Sequence, residues 1–375
     1  MYGKMKVATF VGTRPEIIKL APTLRACDRY FDHLLVHTGQ NWDYNLSEVF
    51  FEELGLRKPD HFLDCVGSNL GETIGNIIAR SYALFEKERP EALLILGDTN
   101  SALAAISAKR LKIPIFHMEA GNRCFDENLP EEINRRIVDH ISDVNLPYTE
   151  HARRYLLSEG VRKEHIFVTG SPMPELMRES MPKIQASTVL DKLGLRKEGY
   201  ILVSAHREEN IDNEDNFRSL MTAIDETAER LQMPIIFSTH PRTLDRMTKR
   251  GHAPHRLVQN MKPFGFFDYN RLQLDSFCVL SDSGTLAEES SILGFSAISL
   301  RTSTERPEVL DKGSFVIGGI TTRDILQAIE LSRSIRENQG MALRATDYED
   351  ENVSVKIAKI IQSYTKIINA TIWGK

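Results

Sequence analysis

Val7-Ala8-Thr9-Phe10-Val11-Gly12-Thr13-Arg14-Pro15-Glu16-Ile17-Ile18-Lys19 is the stretch that decides the fold. The apolar run 7–11 reads as a buried strand, and Gly12 marks its end. Pro15 suits the first turn of the helix-period segment that follows. The same unit recurs, with apolar runs at 34–36, 92–96, 114–117 and 143–146 each followed by a stretch of helical period. Strand–helix alternation of this kind predicts a mostly parallel sheet with helices on both faces.

Beyond Gly170-Ser171-Pro172 the chain enters a polar stretch, 178–187, which reads as a linker. A second series then begins, with strands expected at 200–203, 234–238, 277–280, 297–300 and 315–317 and helices at 216–231 and 323–333. The last segment, 352–368, places Val353, Ile357, Ile360, Ile361 and Tyr364 at helical spacing. The expected division is an N-terminal domain over 1–175, a C-terminal domain over 176–351, and a closing segment, 352–375, that packs back on the first. Two α/β sheets joined by one linker imply a cleft, and ligands of such sheets sit beyond the carboxyl ends of the strands.

Composition narrows the function classes. The 375 residues suit two domains, and 41% hydrophobic with 26% charged residues is ordinary for a globular chain. Lys and Arg total 47 against 52 Asp and Glu, a net charge of −5 without a basic block, which argues against a nucleic-acid or anionic-lipid surface. Cys27, Cys65, Cys124 and Cys278 form no CxxC pair, so a reducing, cytoplasmic setting is expected and a zinc ribbon is not. The first residues lack the apolar core of a signal peptide, and no stretch reaches the ~18 apolar residues of a membrane span.

Several segments carry chemistry at strand ends. After 7–11, Arg14 and the amides of Gly12 and Thr13 are expected to gather at a helix N-terminus as an anion site, with Lys19 one turn on. The bland alternative is a strand–helix turn with two surface cations. The segment matches neither GxGxxG nor a Walker loop, so NAD and ATP lose support. Asp98, in Gly97-Asp98-Thr99-Asn100, stands at the end of a strand, where Asp also serves as an ordinary helix cap. His117 and Glu119 are placed on one side of their strand by period-2 alternation. Glu131 and Glu132 precede Arg135 and Arg136 by four residues, and the bland reading is an exposed helix with i,i+4 ion pairs. His206 follows the first strand of the second series and would face Asp98 and Glu119 across the cleft. Ser281-Asp282-Ser283-Gly284-Thr285, with Glu288 and Glu289 in the next helix, is the clearest phosphate signal, because small residues let amides approach a diphosphate.

Taken together, GTRPEIIK, GDTNS, HMEAG, PEEINR, AHREEN, SDSG with its following EE, and TERPE resemble the non-hydrolysing UDP-GlcNAc 2-epimerase family over nearly the whole chain. The resemblance implies a GT-B-like pair of Rossmann-type α/β/α domains, a homodimer and no redox cofactor; a metal on His117, Glu119 and Asp98 is not expected either, because no second clustered His supports it. The resemblance also implies inversion of C2 in a UDP-2-acetamido sugar by elimination of UDP to a 2-acetamidoglycal and re-addition. By the same resemblance Asp98, Glu119, Glu131 and His206 are the acid–base residues. Arg14, Ser283, Gly284 and Thr285 would hold the diphosphate with Lys19 in support, Glu289 the ribose hydroxyls, Arg306 the sugar or its phosphate, and Phe264 and Tyr269 the uracil.

Within the family, HMEAGNRCFD and VHTGQNWDY are most similar to the UDP-N-acetyl-L-fucosamine synthase branch. That branch implies UDP-2-acetamido-2,6-dideoxy-L-talose as substrate and a capsule or O-antigen precursor as product. Asn122, Cys124 and Thr285 depart from the usual HxEAGLRT and SDSGG of enzymes acting on UDP-GlcNAc. Asn41 and Asp43 depart from the family's activator pocket, which weakens the expectation of activation by UDP-GlcNAc. The competing readings are UDP-GlcNAc/UDP-ManNAc interconversion, a hydrolysing epimerase, a GT-B glycosyltransferase and a silent UDP-sugar sensor.

Overall fold

A computed structural model describes residues 3–39, 48–127, 129–302, 304–339 and 345–375. Asn41 and Asp43 lie outside the described residues. The chain divides into two compact units, the first Met1–Leu176 with Glu349–Lys375 and the second Met177–Tyr348.

In the first unit the strands are β1 (Lys6–Val11), β2 (Asp32–His37), β3 (His61–Phe62), β4 (Ala92–Leu96), β5 (Ile115–Met118) and β6 (Val144–Leu146). In the second they are β7 (Ile201–Ser204), β8 (Ile235–Ser238), β9 (Val258–Met261), β10 (Cys278–Ser281), β11 (Ala297–Ser299) and β12 (Val316–Ile317). Both sheets are parallel throughout. The first runs β3-β2-β1-β4-β5-β6 and the second β12-β11-β10-β7-β8-β9. Each series therefore starts mid-sheet, grows one way for three strands and then returns to the other side of its first strand. The reversal falls between β1 and β4 in one unit and between β7 and β10 in the other, and loops at such a switch point diverge and leave a crevice.

Burial explains why the strands read as apolar runs. In the second unit Ile201, Val203, Ile235, Phe237, Cys278 and Leu280 enter one core, while Tyr200, Leu202, Ile236 and Val279 enter another. Successive side chains point to opposite faces, so a strand covered on both faces has no polar side. In the first unit Ala8, Phe10, Leu34, Val36, Leu93, Ile95 and Ile115 share one such core.

Two expectations fail for local reasons. The polar stretch at 178–187 is largely helical, belonging to Met173–Gln185, and the division between units falls inside that helix. Its charges sit on a solvated face, which composition alone does not separate from a loop. Strands β3 and β9 were not expected: each is an edge strand, two residues long in one case and Val-Gln-Asn-Met in the other. The final helix, Val353–Ile368, packs against the helix Arg14–Tyr30 within the first unit.

Candidate active site

Strands β1, β4 and β5 are neighbours in the first sheet, so the segments leaving their carboxyl ends converge. Gly12 is required by a close approach: a Cβ there would stand 2.1 Å from Ser101 Oγ and 2.2 Å from Thr38 Oγ1. The amides of Gly12 and Thr13, expected to await an external anion, are instead occupied. Glu16 Oε2 accepts from Gly12 N at 2.9 Å, Thr13 N at 2.8 Å and Thr13 Oγ1 at 2.9 Å. Its other oxygen accepts from Thr99 Oγ1 at 2.8 Å, tying the β1 turn to the β4 turn. Burial pushes the Glu16 carboxyl up to about 7 despite these hydrogen bonds, which favour the ion. Arg14 is half-buried, with its guanidinium carbon 5.6 Å from the Phe50 ring centre.

The Lys19 ammonium lies 2.7 Å from Glu119 Oε2, with both side chains almost wholly enclosed, a partner the sequence did not suggest. Glu119 has φ of +63°, a left-handed conformation that costs an L residue about 1–2 kcal/mol. That backbone ends the alternation of β5 and turns Glu119 away from the path of His117. His117 is fully buried, donating from Nε2 to the Gly97 carbonyl at 2.8 Å, with Nδ1 2.9 Å from Asp139 Oδ1. Burial alone would raise the Asp139 carboxyl, but His117 and Arg123 hold it below its ordinary value. Asn122 Nδ2 reaches Glu119 Oε1 at 3.4 Å, whereas Arg123 is buried between Asp139 and Glu159 and holds the loop.

Asp98 is clasped by Arg135, whose Nε and Nη2 both donate to Oδ2, at 3.0 and 2.5 Å. Asn134 Nδ2 donates to the Asp98 carbonyl at 3.0 Å. The helix Pro130–Ile141 does carry the i,i+4 pair of the bland reading, Arg136 with Glu132 at 3.2 Å, but it is not an exposed helix: Glu132, Asn134, Arg135 and Asp139 are buried. Glu132 is fully buried and accepts from Arg135 and from the Cys124 amide, while Glu131 is exposed and makes no hydrogen bond or ion pair among the described residues.

In the second unit β7 and β10 pair directly, bringing His206 beside the Ser281–Thr285 turn. Asp282 is fully buried and accepts from the amides of His206 and Arg207 and from Asn210 Nδ2. Arg207, absent from the sequence reading, donates from Nε to the Asp282 carbonyl at 2.8 Å and reaches Glu305 Oε1 at 3.4 Å. A Cβ on Gly284 would stand 2.6 Å from that same Glu305 oxygen, so a larger residue there would have to displace the Glu305 carboxylate. Thr285 has φ of −78° and fits its turn without a glycine, its hydroxyl 3.1 Å from that of Ser283.

Glu289 is buried and accepts from Gln273 Nε2 at 2.6 Å, a partner only the fold reveals. Arg306 is buried, its side chain 2% exposed, with Nη2 2.7 Å from Glu288 Oε1. Phe264 and Tyr269 are half-buried against the second core of this unit. Among the described residues no helix is long and apolar enough to cross a membrane.

Comparison with known proteins places this arrangement. The family described as UDP-N-acetylglucosamine 2-epimerase matches residues 25–362. The structure of UDP-N-acetylglucosamine 2-epimerase from Rickettsia bellii is 45% identical with a TM-score of 0.90, covering 99% of this chain and 100% of that one. The Methanocaldococcus jannaschii UDP-GlcNAc 2-epimerase, solved with UDP-GlcNAc and UDP, is 32% identical with a TM-score of 0.89, covering 96% and 99%. The UDP-2,3-diacetamido-2,3-dideoxy-D-glucuronate 2-epimerase of Pseudomonas aeruginosa is 33% identical over 332 residues, covering 88% of this chain and 92% of its own length. The two-sheet GT-B-like architecture is the one these solved epimerases share.

Proposed function

The chain belongs to the UDP-N-acetylglucosamine 2-epimerase family, and from that premise we propose that it converts UDP-2-acetamido-2,6-dideoxy-L-talose into UDP-N-acetyl-L-fucosamine. It is an isomerase, a UDP-sugar 2-epimerase. The C2 hydrogen of a 2-acetamido sugar is weakly acidic, and a concerted anti-elimination avoids a carbanion at C2. A base takes the C2 proton, the C2–H electron pair becomes the C1–C2 double bond, and the C1–O pair leaves with UDP. Re-addition of UDP to C1, with a proton delivered to the opposite face of C2, completes the inversion with no net change in electrons or protons.

The observation that carries this chemistry is the enclosed Lys19–Glu119 pair at a strand end beside Asp98 and its arginine clasp. The ammonium keeps the carboxylate ionised and fixed in position, at some cost in basicity, so that it is ready to accept a proton. In this reading Asp98, Glu119, Glu131 and His206 move the protons. Arg14, Ser283, Gly284 and Thr285 hold the diphosphate with Arg207 beside them, and Glu289, oriented by Gln273, takes the ribose hydroxyls. Phe264 and Tyr269 flank the uracil, and Arg306, paired with Glu288, takes the sugar or its phosphate.

The L-talo substrate is supported by Asn122, which touches Glu119 in the segment that departs from the UDP-GlcNAc pattern. The Pseudomonas aeruginosa relative adds that family members act on sugars other than GlcNAc. The second reading, UDP-GlcNAc/UDP-ManNAc interconversion, is favoured by the 45% identity to the Rickettsia bellii epimerase. On the first reading the product supplies capsule or O-antigen synthesis, made in the cytoplasm by a homodimer.

Incubation with each UDP-sugar in D₂O, followed at C2 by NMR, tests the proposal. Deuterium entry and inversion with the L-talo sugar support it, and exchange with UDP-GlcNAc alone overturns the substrate. Free UDP accumulating in step with a reducing sugar overturns the non-hydrolysing mechanism.

A further inference from the structure

Asp282 stands inside the Ser281–Thr285 turn with its carboxylate directed at the segment 206–210. Its side chain has no exposed surface, and both oxygens are directed at the segment leaving β7. Oδ1 and Oδ2 accept from His206 N at 3.1 and 3.0 Å, and Oδ2 also from Arg207 N and Asn210 Nδ2, each at 3.0 Å. His206 Nδ1 lies 3.4 Å from Oδ1, and the ring keeps 35% of its surface exposed.

We infer that Asp282 is the positioning residue for His206, fixing the backbone that carries the ring and turning Nδ1 inward so that Nε2 is presented to the UDP-sugar. The inference rests on the epimerase reading only in giving His206 a substrate to act on. A neutral imidazole has one N–H and one lone pair, and an ionised carboxylate is an acceptor only. The tautomer with its proton on Nδ1 is therefore favoured beside Asp282, leaving the Nε2 lone pair as the basic site. When Nε2 takes a proton, the imidazolium is stabilised by the same carboxylate, the logic by which a buried Asp orients a catalytic His.

The neighbouring charged groups have partners of their own. His240, at the end of β8, has its ring centre 5.9 Å away and its own Nδ1 accepting from the Arg242 amide. Arg207 is directed at the Asp282 carbonyl and Glu305. Glu209 lies toward Arg301, which is itself held by Glu305.

The test begins on the wild-type protein. Long-range ¹H–¹⁵N spectra of the full-length, ¹⁵N-histidine-labelled chain report the His206 tautomer, assigned with His206→Ala. The neutral ring is expected to carry its proton on Nδ1, and a proton on Nε2 overturns the inference. Asp282→Asn is expected to shift the neutral ring toward the Nε2–H tautomer, to lower the pH at which it protonates and to reduce kcat about 10²-fold. In the His206→Ala background the same change is expected to alter kcat by less than about threefold. Fully additive losses would make Asp282 a merely structural group and overturn the inference. The tautomer needs no turnover, so a wild-type protein inert toward every UDP-sugar defeats the epimerase reading and leaves this one standing. An Nε2–H tautomer in an active enzyme does the reverse.

Discussion

Substituting Glu16 by Gln should change how the stability of the first unit depends on pH, and the size follows from two buried groups. Gln keeps an oxygen for the Gly12 and Thr13 amides, and its NH₂ can donate to the Thr99 hydroxyl, so the turn survives while the titration disappears. In the folded chain the Glu16 carboxyl is raised from 4.5 to about 7. The native state therefore holds a proton the unfolded chain has released, and stability is lost as pH rises through that window. With those two values, linkage gives a loss of about 2.5 kcal/mol between pH 5 and pH 8. His37, buried at the end of β2, acts in the opposite sense. Burial lowers it from 6.5 to about 4, so stability is lost as pH falls, and about 2 kcal/mol is regained from pH 5 to pH 8. The two terms nearly cancel in the wild type. In Glu16→Gln the His37 term stands alone, so the variant should gain about 2 kcal/mol across a range where the wild type gains none from this pair. For a unit of this size that is a difference of roughly 5–10 °C in the pH dependence of Tm. Scanning calorimetry of both proteins at pH 5 and pH 8 measures it. Parallel pH profiles would refute the assignment of a near-neutral proton to Glu16.

Three further outcomes are expected. Asp98→Asn, Glu119→Gln and Glu131→Gln should each keep UDP binding by calorimetry and lose most deuterium exchange at C2; wild-type turnover in any one removes that residue from the mechanism. Arg306→Met leaves Glu288 buried without the guanidinium now 2.7 Å away; breaking such a pair costs about 3–5 kcal/mol, so a large fall in Tm is expected, and an unchanged Tm with a raised KM would leave Arg306 a role on the ligand alone. Gly12→Ala drives a methyl to within 2.1 Å of Ser101 Oγ, and urea unfolding should show a loss of about 1–3 kcal/mol, with an unchanged midpoint arguing that the turn gives way.

Much of the fold is legible because central parallel strands are covered on both faces, and a short apolar run bounded by glycine or proline fits such a strand better than a helix. The signal fails where that cover ends. β9 exposes Gln259 and Asn260, and β3 is only His61 and Phe62 at the margin of its sheet. The helix Met173–Gln185 was hidden for the converse reason, since its polar residues and Pro182 imitate a linker. In the site, position was readable and partnership was not. That Asp98, Glu119 and His206 leave the carboxyl ends of strands follows from the strand pattern. That Glu119 meets Lys19 depends on a contact 100 residues apart in sequence, and no local spacing encodes it. Glu131 and Glu132 show the limit most plainly, being adjacent in sequence yet one exposed and one buried, because helical rotation against neighbouring segments decides which faces inward.

The two units repeat one device, which changes what an acidic residue in such a motif means. Each sheet reverses its strand order beside its first strand, and each reversal leaves main-chain amides at the strand ends that must be satisfied. In the first unit Glu16 satisfies them and reaches across to Thr99; in the second Asp282 satisfies them and reaches across to Asn210. Both carboxylates lie within motifs that the sequence assigns to anion binding; Glu16 fills the very amides of its own turn, whereas Asp282 fills those of His206 and Arg207 in the neighbouring segment. The buried carboxylates hold in place the turns that carry Arg14 and Ser283, the residues proposed above to meet the diphosphate. Substituting them should therefore move catalytic geometry before it moves the affinity for UDP, which separates their role from that of Arg14 or Ser283.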